Sequence, residues 1–513
     1  MKNKMLSPFG EADCESELKA MGGKSNYSQL YFDETPFNGA ATSPQTYLII
    51  GRRGSGKTAL AQYFSFQTTI PDPIYIDVDE PAAYHQVLSD IAARASENRE
   101  IAIPRLKKVW EYTIWCLIFE HTRQQSKTIN QICNSCASDP HASNFISSLF
   151  DRLLSLLHES ETTHIGEQVG ILLSDERLQK AKAEALRIAR THPIIVAMDT
   201  LEKYDASDTG LMNAMAALVQ CAADFSLDYR EEGIHLKVFM SGEVFSYLKA
   251  SVIQNPLKSV KNPVYLFWRS KDLLRLISWR FFRYLKENNQ LRSESVSMID
   301  WTSHREVRAK MWDPYFGHSL TNKRGLREDT LLYVLRHTQM RPRQVILLCN
   351  SIAERAMEAR RFPNLSESDI REGVKNMETE LAIEIINSFG AQYPNVDKIV
   401  NGLMNMPMIF GGNELDKRAH ETATHWPESY TAAKFRSLVA ELGIVGRVCG
   451  RDNGHIRAVF EYALRDGLEL THRDECVIHP MFYTRFSVVF NSESRVVPVS
   501  VFEDGSKEDD NFP

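Results

Sequence analysis

The stretch that most constrains this chain is Tyr47-Leu48-Ile49-Ile50-Gly51-Arg52-Arg53-Gly54-Ser55-Gly56-Lys57-Thr58, where an apolar run breaks into glycines and ends on lysine and threonine. A short β run, Gly51, four residues, then Gly56-Lys57-Thr58 opening a helix at Ala59-Leu60-Ala61 is the spacing of a phosphate-binding loop. Glycines permit the tight turn and the close backbone approach, backbone N–H groups surround an anion, and the helix start adds its positive dipole end. On this reading Gly51, Arg52, Arg53, Gly54, Ser55, Gly56, Lys57, Thr58 and Ala59 cradle ATP. Lys57 reaches the β- and γ-phosphates, and the Thr58 hydroxyl ligates Mg²⁺.

Four more runs read as strands. Ile74-Tyr75-Ile76-Asp77-Val78 is bounded by prolines, Pro193-Ile194-Ile195-Val196-Ala197-Met198-Asp199 is apolar throughout, Ile234 to Met240 alternates, and Val264 to Trp268 is short. Strands alternating with helices favour a parallel sheet covered by helices, an α/β fold. In such a sheet the run ending in Asp199 delivers a carboxylate to the carboxyl edge, where phosphates and Mg²⁺ sit in P-loop proteins. Asp199 is therefore the second expected metal partner. No acidic residue follows it directly; Glu202 is the first expectation for positioning water and Asp205 the second.

Between roughly residues 81 and 190 strand signals nearly vanish. Leu106 to Thr122, Phe145 to His158 and Asp175 to Arg190 carry helical spacing, with Ser174-Asp175-Glu176 as a capping cluster, while Ser126 to Ser143 reads as turn-like. The segment is a helical insertion, offering either a partner surface or cover for the sheet. Leu211 to Phe225 is an alanine-rich amphipathic helix, and Ser241-Gly242-Glu243 closes the strand after it.

Later helices run from Leu273, from Leu331 and from Met340-Arg341-Pro342-Arg343, where proline suits a first helical turn and arginine suits phosphate. Another begins at Ser366-Glu367-Ser368-Asp369. Helices near Tyr430 to Val448 followed by Ala458 to Tyr462 and Cys476 to Phe482 fit a winged helix. Over Lys434 to Arg485 there are eight Lys/Arg against seven Asp/Glu, a balance that favours packing or protein recognition over a DNA-binding wing. The resulting division is an N-terminal segment 1–45, an ATPase core 46–275 with its insertion at 81–190, a helical lid 276–390, a winged-helix-like domain 391–490 and an acidic tail 491–513.

Composition adds exclusions. The formal net charge of −6 provides no global field for nucleic acid, and eight scattered cysteines among 513 residues read as thiols, with Cys133-Asn134-Ser135-Cys136 lacking the second half of a zinc site. No apolar run has membrane-spanning length and the first residues lack a signal core, so a cytoplasmic location without membrane contact is the expectation.

Taken together, Gly51 to Thr58, Ile194 to Asp199, Ser241 to Glu243, Arg341 to Arg343 and the region from Leu442 to Pro480 resemble P-loop ATPases of the AAA+/STAND-like kind. Bacterial members often carry a winged-helix end and often serve in antiphage defence. The resemblance implies that Ser241 and Glu243 occupy the strand-end position that senses the γ-phosphate, with Arg341 or Arg343 in the lid sensor position. It also implies that ATP acts as a switch or assembly signal, with a homo-oligomer or a protein effector as partner. An origin-recognition-like DNA-remodelling ATPase and an ATP-binding scaffold without turnover are the alternatives.

Overall fold

The computed structural model describes residues 5–63, 72–78, 82–95, 98–136, 153, 155, 165–199, 208–253, 260–291 and 298–502, apart from 391, 428, 453 and 464–466. The expected helix at Phe145 to His158, Glu202 and Asp205, and the acidic run after Phe502 therefore fall essentially outside the described residues. The chain forms two compact units, Thr35–Phe267 and Met1–Glu34 together with Trp268–Pro513.

The first unit is built on five parallel strands, β1 (Leu48–Gly51), β2 (Ile74–Val78), β3 (Ile194–Asp199), β4 (Ile234–Ser241) and β5 (Val264–Tyr265), ordered β2-β3-β4-β1-β5. It is an α/β P-loop core, as the alternation of strand and helix signals requires. Eight helices are used below to describe this unit: α1 (Lys57–Tyr63), α2 (Ala82–Ala95), α3 (Arg99–Thr122), α4 (Lys127–Cys136), α5 (Ile165–Ser174), α6 (Glu176–Ala189), α7 (Thr209–Tyr229) and α8 (Gly242–Ser251).

Strand side chains alternate between faces, and here the two faces differ in chemistry. Leu48, Ile50, Ile76, Val78, Ile194, Val196, Met198, Leu236, Val238 and Met240 all join one large apolar core with α3 and α7. Within it the Trp110 indole donates to the Ala214 carbonyl at 2.8 Å, and Trp115 meets Phe225 and Tyr229 at 5.4 and 5.0 Å. The residues of opposite parity, Gly51, Asp77, Asp199, Lys237 and Ser241, share the other face. Helix α7, with the turn after it, is the one described helix long and apolar enough to cross a membrane, and it is mostly buried in this core.

The insertion between β2 and β3 is helical where it is described, and Asp175 caps α6 by accepting from the Arg177 N–H. The turn-like reading of Ser126 to Ser143 is corrected: Lys127–Cys136 is the helix α4. Ile129, Ile132 and Cys133 fall at the helical i, i+3, i+4 spacing and are buried, so one apolar stripe outweighs the polar Ser/Asn composition.

In the second unit the helix α9 (Ser270–Glu287) collects the N-terminal residues. Phe9 stacks on Phe281 at 4.7 Å, the Trp279 indole donates to the Leu30 carbonyl at 3.0 Å, and Arg280 pairs with the buried Glu17 at 2.8 Å. Residues 5–34 thus pack with the C-terminal half rather than standing as a segment of their own. Tyr27 is fully buried there, and Phe32 lies under the Arg275 guanidinium.

Helices α10 (Thr330–Arg336), α11 (Pro342–Glu358) and α12 (Glu367–Ser388) follow a short hairpin of β6 (Ser319–Thr321) and β7 (Arg327–Asp329). Pro342 opens α11, and Ser366 with Asp369 forms a capping box on α12.

The C-terminal sheet contains β8 (Ile409–Gly411), β9 (Val445–Asp452), β10 (His455–Val459), β11 (Glu475–Ile478) and β12 (Arg495–Pro498), with helices α13 (Gly412–Glu421) and α14 (Ala432–Glu441) between β8 and β9. Its order is β12-β10-β9-β11-β8. The two runs read as a wing hairpin, at 458 and 476, are not paired with each other: β9 lies between them and forms the hairpin with β10. β12 runs parallel to β10 inside the stretch expected to be a solvated tail.

Candidate functional site

The phosphate-loop motif occupies the carboxyl edge of β1. Gly54 and Gly56 take φ of +78° and +95°, a left-handed region that favours glycine, which lets the loop wrap and reverse into α1. A Cβ on Gly51 would lie 2.3 Å from Ser55 Oγ and 3.2 Å from Leu266 Cβ, so the strand end accepts no side chain. A Cβ on Gly56 would meet nothing within 4 Å, so the loop stays open on that side. Lys57 is buried, and its Nζ donates to the Gly51 and Arg52 carbonyls at 3.1 and 3.3 Å, which holds the ammonium inside the loop. Ser55 is buried, while Arg52, Arg53, Thr58 and Ala59 are half-buried around it.

Strand order brings Asp199 to the same edge. β4 separates β1 from β3, so their axes lie about 10 Å apart, two ladder spacings. Gly51 is level with Ser241, and Asp199 with Phe239. Gly51, Ser241 and Asp199 therefore share one face and one edge, with Ser241 between the other two. The Ser241 hydroxyl donates to Glu243 at 2.5 Å, and the other Glu243 oxygen accepts from the Arg53 N–H at 3.4 Å. Glu243, in the first turn of α8, thus ties the strand beyond Asp199 to the phosphate loop.

Two groups that the sequence reading left out complete this face. Gln62, buried on α1, donates to Asp77 Oδ2 at 2.5 Å, and the Tyr75 hydroxyl donates to the Ala61 carbonyl. Strand parity would have found Asp77, since it alternates onto the face of Ala197 and Asp199. In the same row of this face, level with Ala197, Lys237 donates to the carbonyls of Ala41, Ser43 and Thr46, and burial pushes its pKa down to about 7.

The two arginines expected as sensors lie in the second unit. Arg341 is buried at the start of α11 and its Nη2 donates to Gln339 Oε1 at 2.8 Å; Arg343 Nε is 3.4 Å from Glu384 Oε1. Among the described residues no cluster of His, Cys, Asp and Glu forms a metal site of its own, and Cys133 is a buried thiol.

Residues 286–385 match the family model of the FunZ-associated C-terminal helical domain. That range runs from the end of α9 through most of α12. No curated protein matches the chain. Among solved structures, the chain is similar to the ORC2 protein of Aeropyrum pernix, determined as ADPNP-ADP complexes. The identity is 14%, the match covers 83% of this chain and 86% of that one, and the TM-score is 0.27. At that superposition the likeness carries no functional weight.

Proposed function

We propose that the Thr35–Phe267 unit binds ATP with Mg²⁺ and hydrolyses it as a switch or assembly signal. The observation that carries this reading is the shared edge. A glycine loop with two left-handed glycines leaves β1, holds Lys57 inside it and opens a helix at Lys57-Thr58, and strand order brings Asp199 to the same edge of the sheet. Loop amides and Lys57 suit phosphate oxygens, while a hydroxyl and a carboxylate suit a hard cation. The residues present therefore fit both groups.

In this reading Lys57 neutralises phosphate charge, and Thr58 with Asp199 holds or orients Mg²⁺, which when bound offsets charge building on the phosphate oxygens. Ser241, linked to the loop through Glu243, reports the state of the γ-phosphate, a role its tie to the loop supports. Glu202 positions the attacking water, and Arg341 or Arg343 supplies the sensing guanidinium from the lid. Arg52 and Arg53 are further contacts to nucleotide or to a neighbouring subunit. A homo-oligomer and a protein effector in a defence system remain part of the proposal through the family resemblance.

Two measurements test it. Purified chain is expected to bind ATP and turn it over with Mg²⁺, and Lys57→Ala is expected to abolish both; a chain that binds no nucleotide refutes the reading. Mass measurement with ATP, with ADP and without nucleotide tests the assembly role, which fails if all three give one mass.

The DNA-remodelling reading stands as the alternative, although some basic groups of the C-terminal domain are paired with carboxylates. Arg436 pairs with Asp416, Lys417 with Glu414, Arg418 with Glu421 and Arg451 with Glu475.

A further inference from the structure

The contact between Gln62 and Asp77 belongs to neither the phosphate loop nor the apolar core, yet it joins α1 to the edge strand of the sheet. Its place along both elements is informative. Thr58 and Gln62 are four residues apart on α1, so they lie on one stripe of the helix, separated by about 6 Å along its axis. On the sheet, Asp77 is level with Ala197, and Asp199 lies two residues further on the same face, about 6.6 Å nearer the carboxyl edge.

The helix runs back from that edge, so its earlier residue, Thr58, is the one nearer to it. The two spacings match. A bond that holds Gln62 at the level of Asp77 therefore holds Thr58 at the level of Asp199. Tyr75, two residues before Asp77 on the same strand face, adds a second tie to the same helix turn through the Ala61 carbonyl.

We propose that Gln62 and Asp77 are positioning residues whose hydrogen bond fixes the axial register of α1, setting the Thr58 hydroxyl against the Asp199 carboxylate as one cation-binding pair. The proposal rests on the nucleotide reading above. It concerns the distance between two ligands and not the phosphate grip, so its signature is a raised Mg²⁺ requirement at nearly constant nucleotide affinity. In this role Asp77 serves as the acceptor for the Gln62 amide, a task that does not need its charge.

The test uses the full chain in four forms: Asp77→Ala, Asp77→Asn, Gln62→Glu, and the exchange Gln62→Glu with Asp77→Asn. Asp77→Asn keeps a carbonyl oxygen for the Gln62 amide, and the exchange restores an amide–carboxylate bond of reversed polarity. Three readouts are taken: hydrogen exchange of α1 amides in nucleotide-free protein, Mg²⁺-dependent binding of a fluorescent ATP analogue, and turnover.

Asp77→Ala and Gln62→Glu are expected to lose α1 protection, to need at least tenfold more Mg²⁺, and to lower kcat at least tenfold while KM moves less than threefold. Asp77→Asn and the exchange are expected to stay within threefold of wild type on every readout. The proposal is overturned if Asp77→Asn is as impaired as Asp77→Ala, which would make the charge itself the functional group. Full Mg²⁺ response in Asp77→Ala, or no recovery in the exchanged pair, would also overturn it. A wild-type chain that binds no nucleotide would instead refute the nucleotide reading, and α1 protection in nucleotide-free protein would still decide the register claim.

Discussion

Replacing Glu378 by glutamine should remove from the second unit one pH-dependent loss of stability that costs the wild-type protein about 3 kcal/mol. Glu378 on α12 is buried, with Oε2 accepting from the Thr484 hydroxyl at 2.6 Å and Oε1 lying 3.3 Å from His337 Nε2. His337 Nδ1 is 2.6 Å from the Tyr333 carbonyl, which can only accept, so that nitrogen carries the ring proton and Nε2 presents a lone pair. One proton on the carboxyl therefore completes the pair. Burial acts in the same sense on both partners, raising Glu378 from 4.5 to about 7 and lowering His337 well below its ordinary value.

A carboxyl whose folded pKa is raised contributes stability that is complete below pH 4.5 and is lost as pH rises through 7. The shift of 7 − 4.5 units, at about 1.4 kcal/mol each, gives about 3 kcal/mol. Glutamine is neutral throughout; its amide donates to His337 Nε2 and its oxygen accepts from Thr484. Wild type and Glu378→Gln should be close to equal near pH 4.5 and differ by about 3 kcal/mol at pH 8 in favour of the variant. Native-state hydrogen exchange of the α12 amides reads this helix specifically, and taking the difference between the two proteins cancels the other titrating groups. A difference unchanged between the two pH values would refute the reasoning.

Three further outcomes follow from the same geometry. Gly51→Val should weaken binding of an ATP analogue at least tenfold, because the first added carbon already meets Ser55 Oγ at 2.3 Å; unchanged affinity in isothermal titration would count against the loop as drawn. Arg280→Met leaves Glu17, 1% exposed, with its carboxylate deprived of its ion-pair partner, and should cost about 3 to 5 kcal/mol, read as lost exchange protection in Cys14–Ala20; a cost below about 1 kcal/mol would contradict it. Gly373→Ala places a carbon 2.6 Å from Ile352 Cα across the α11–α12 contact, so urea unfolding should show a loss of about 1 to 3 kcal/mol.

The stretch from Tyr47 to Thr58 could be read in isolation because its chemistry is local. Glycines that take left-handed φ, a lysine one turn into reach and a hydroxyl at the helix start are fixed by spacing along the chain. Strand runs, the Asp175 cap, Pro342 and the Ser366 capping box were legible for the same reason, as each is set by neighbours a few residues away. What sequence did not determine is which distant segments meet. Strand order placed β4, with Ser241, between the loop and Asp199, and its ladders join residues 190 positions apart on the β1 side and 40 apart on the β3 side. The same holds for residues 5–34 joining the C-terminal half, for β9 separating the two runs read as a wing, and for Gln62 meeting Asp77. Composition sees polar residues at such places, whereas pairing register decides which face, which level and which partner each one finds.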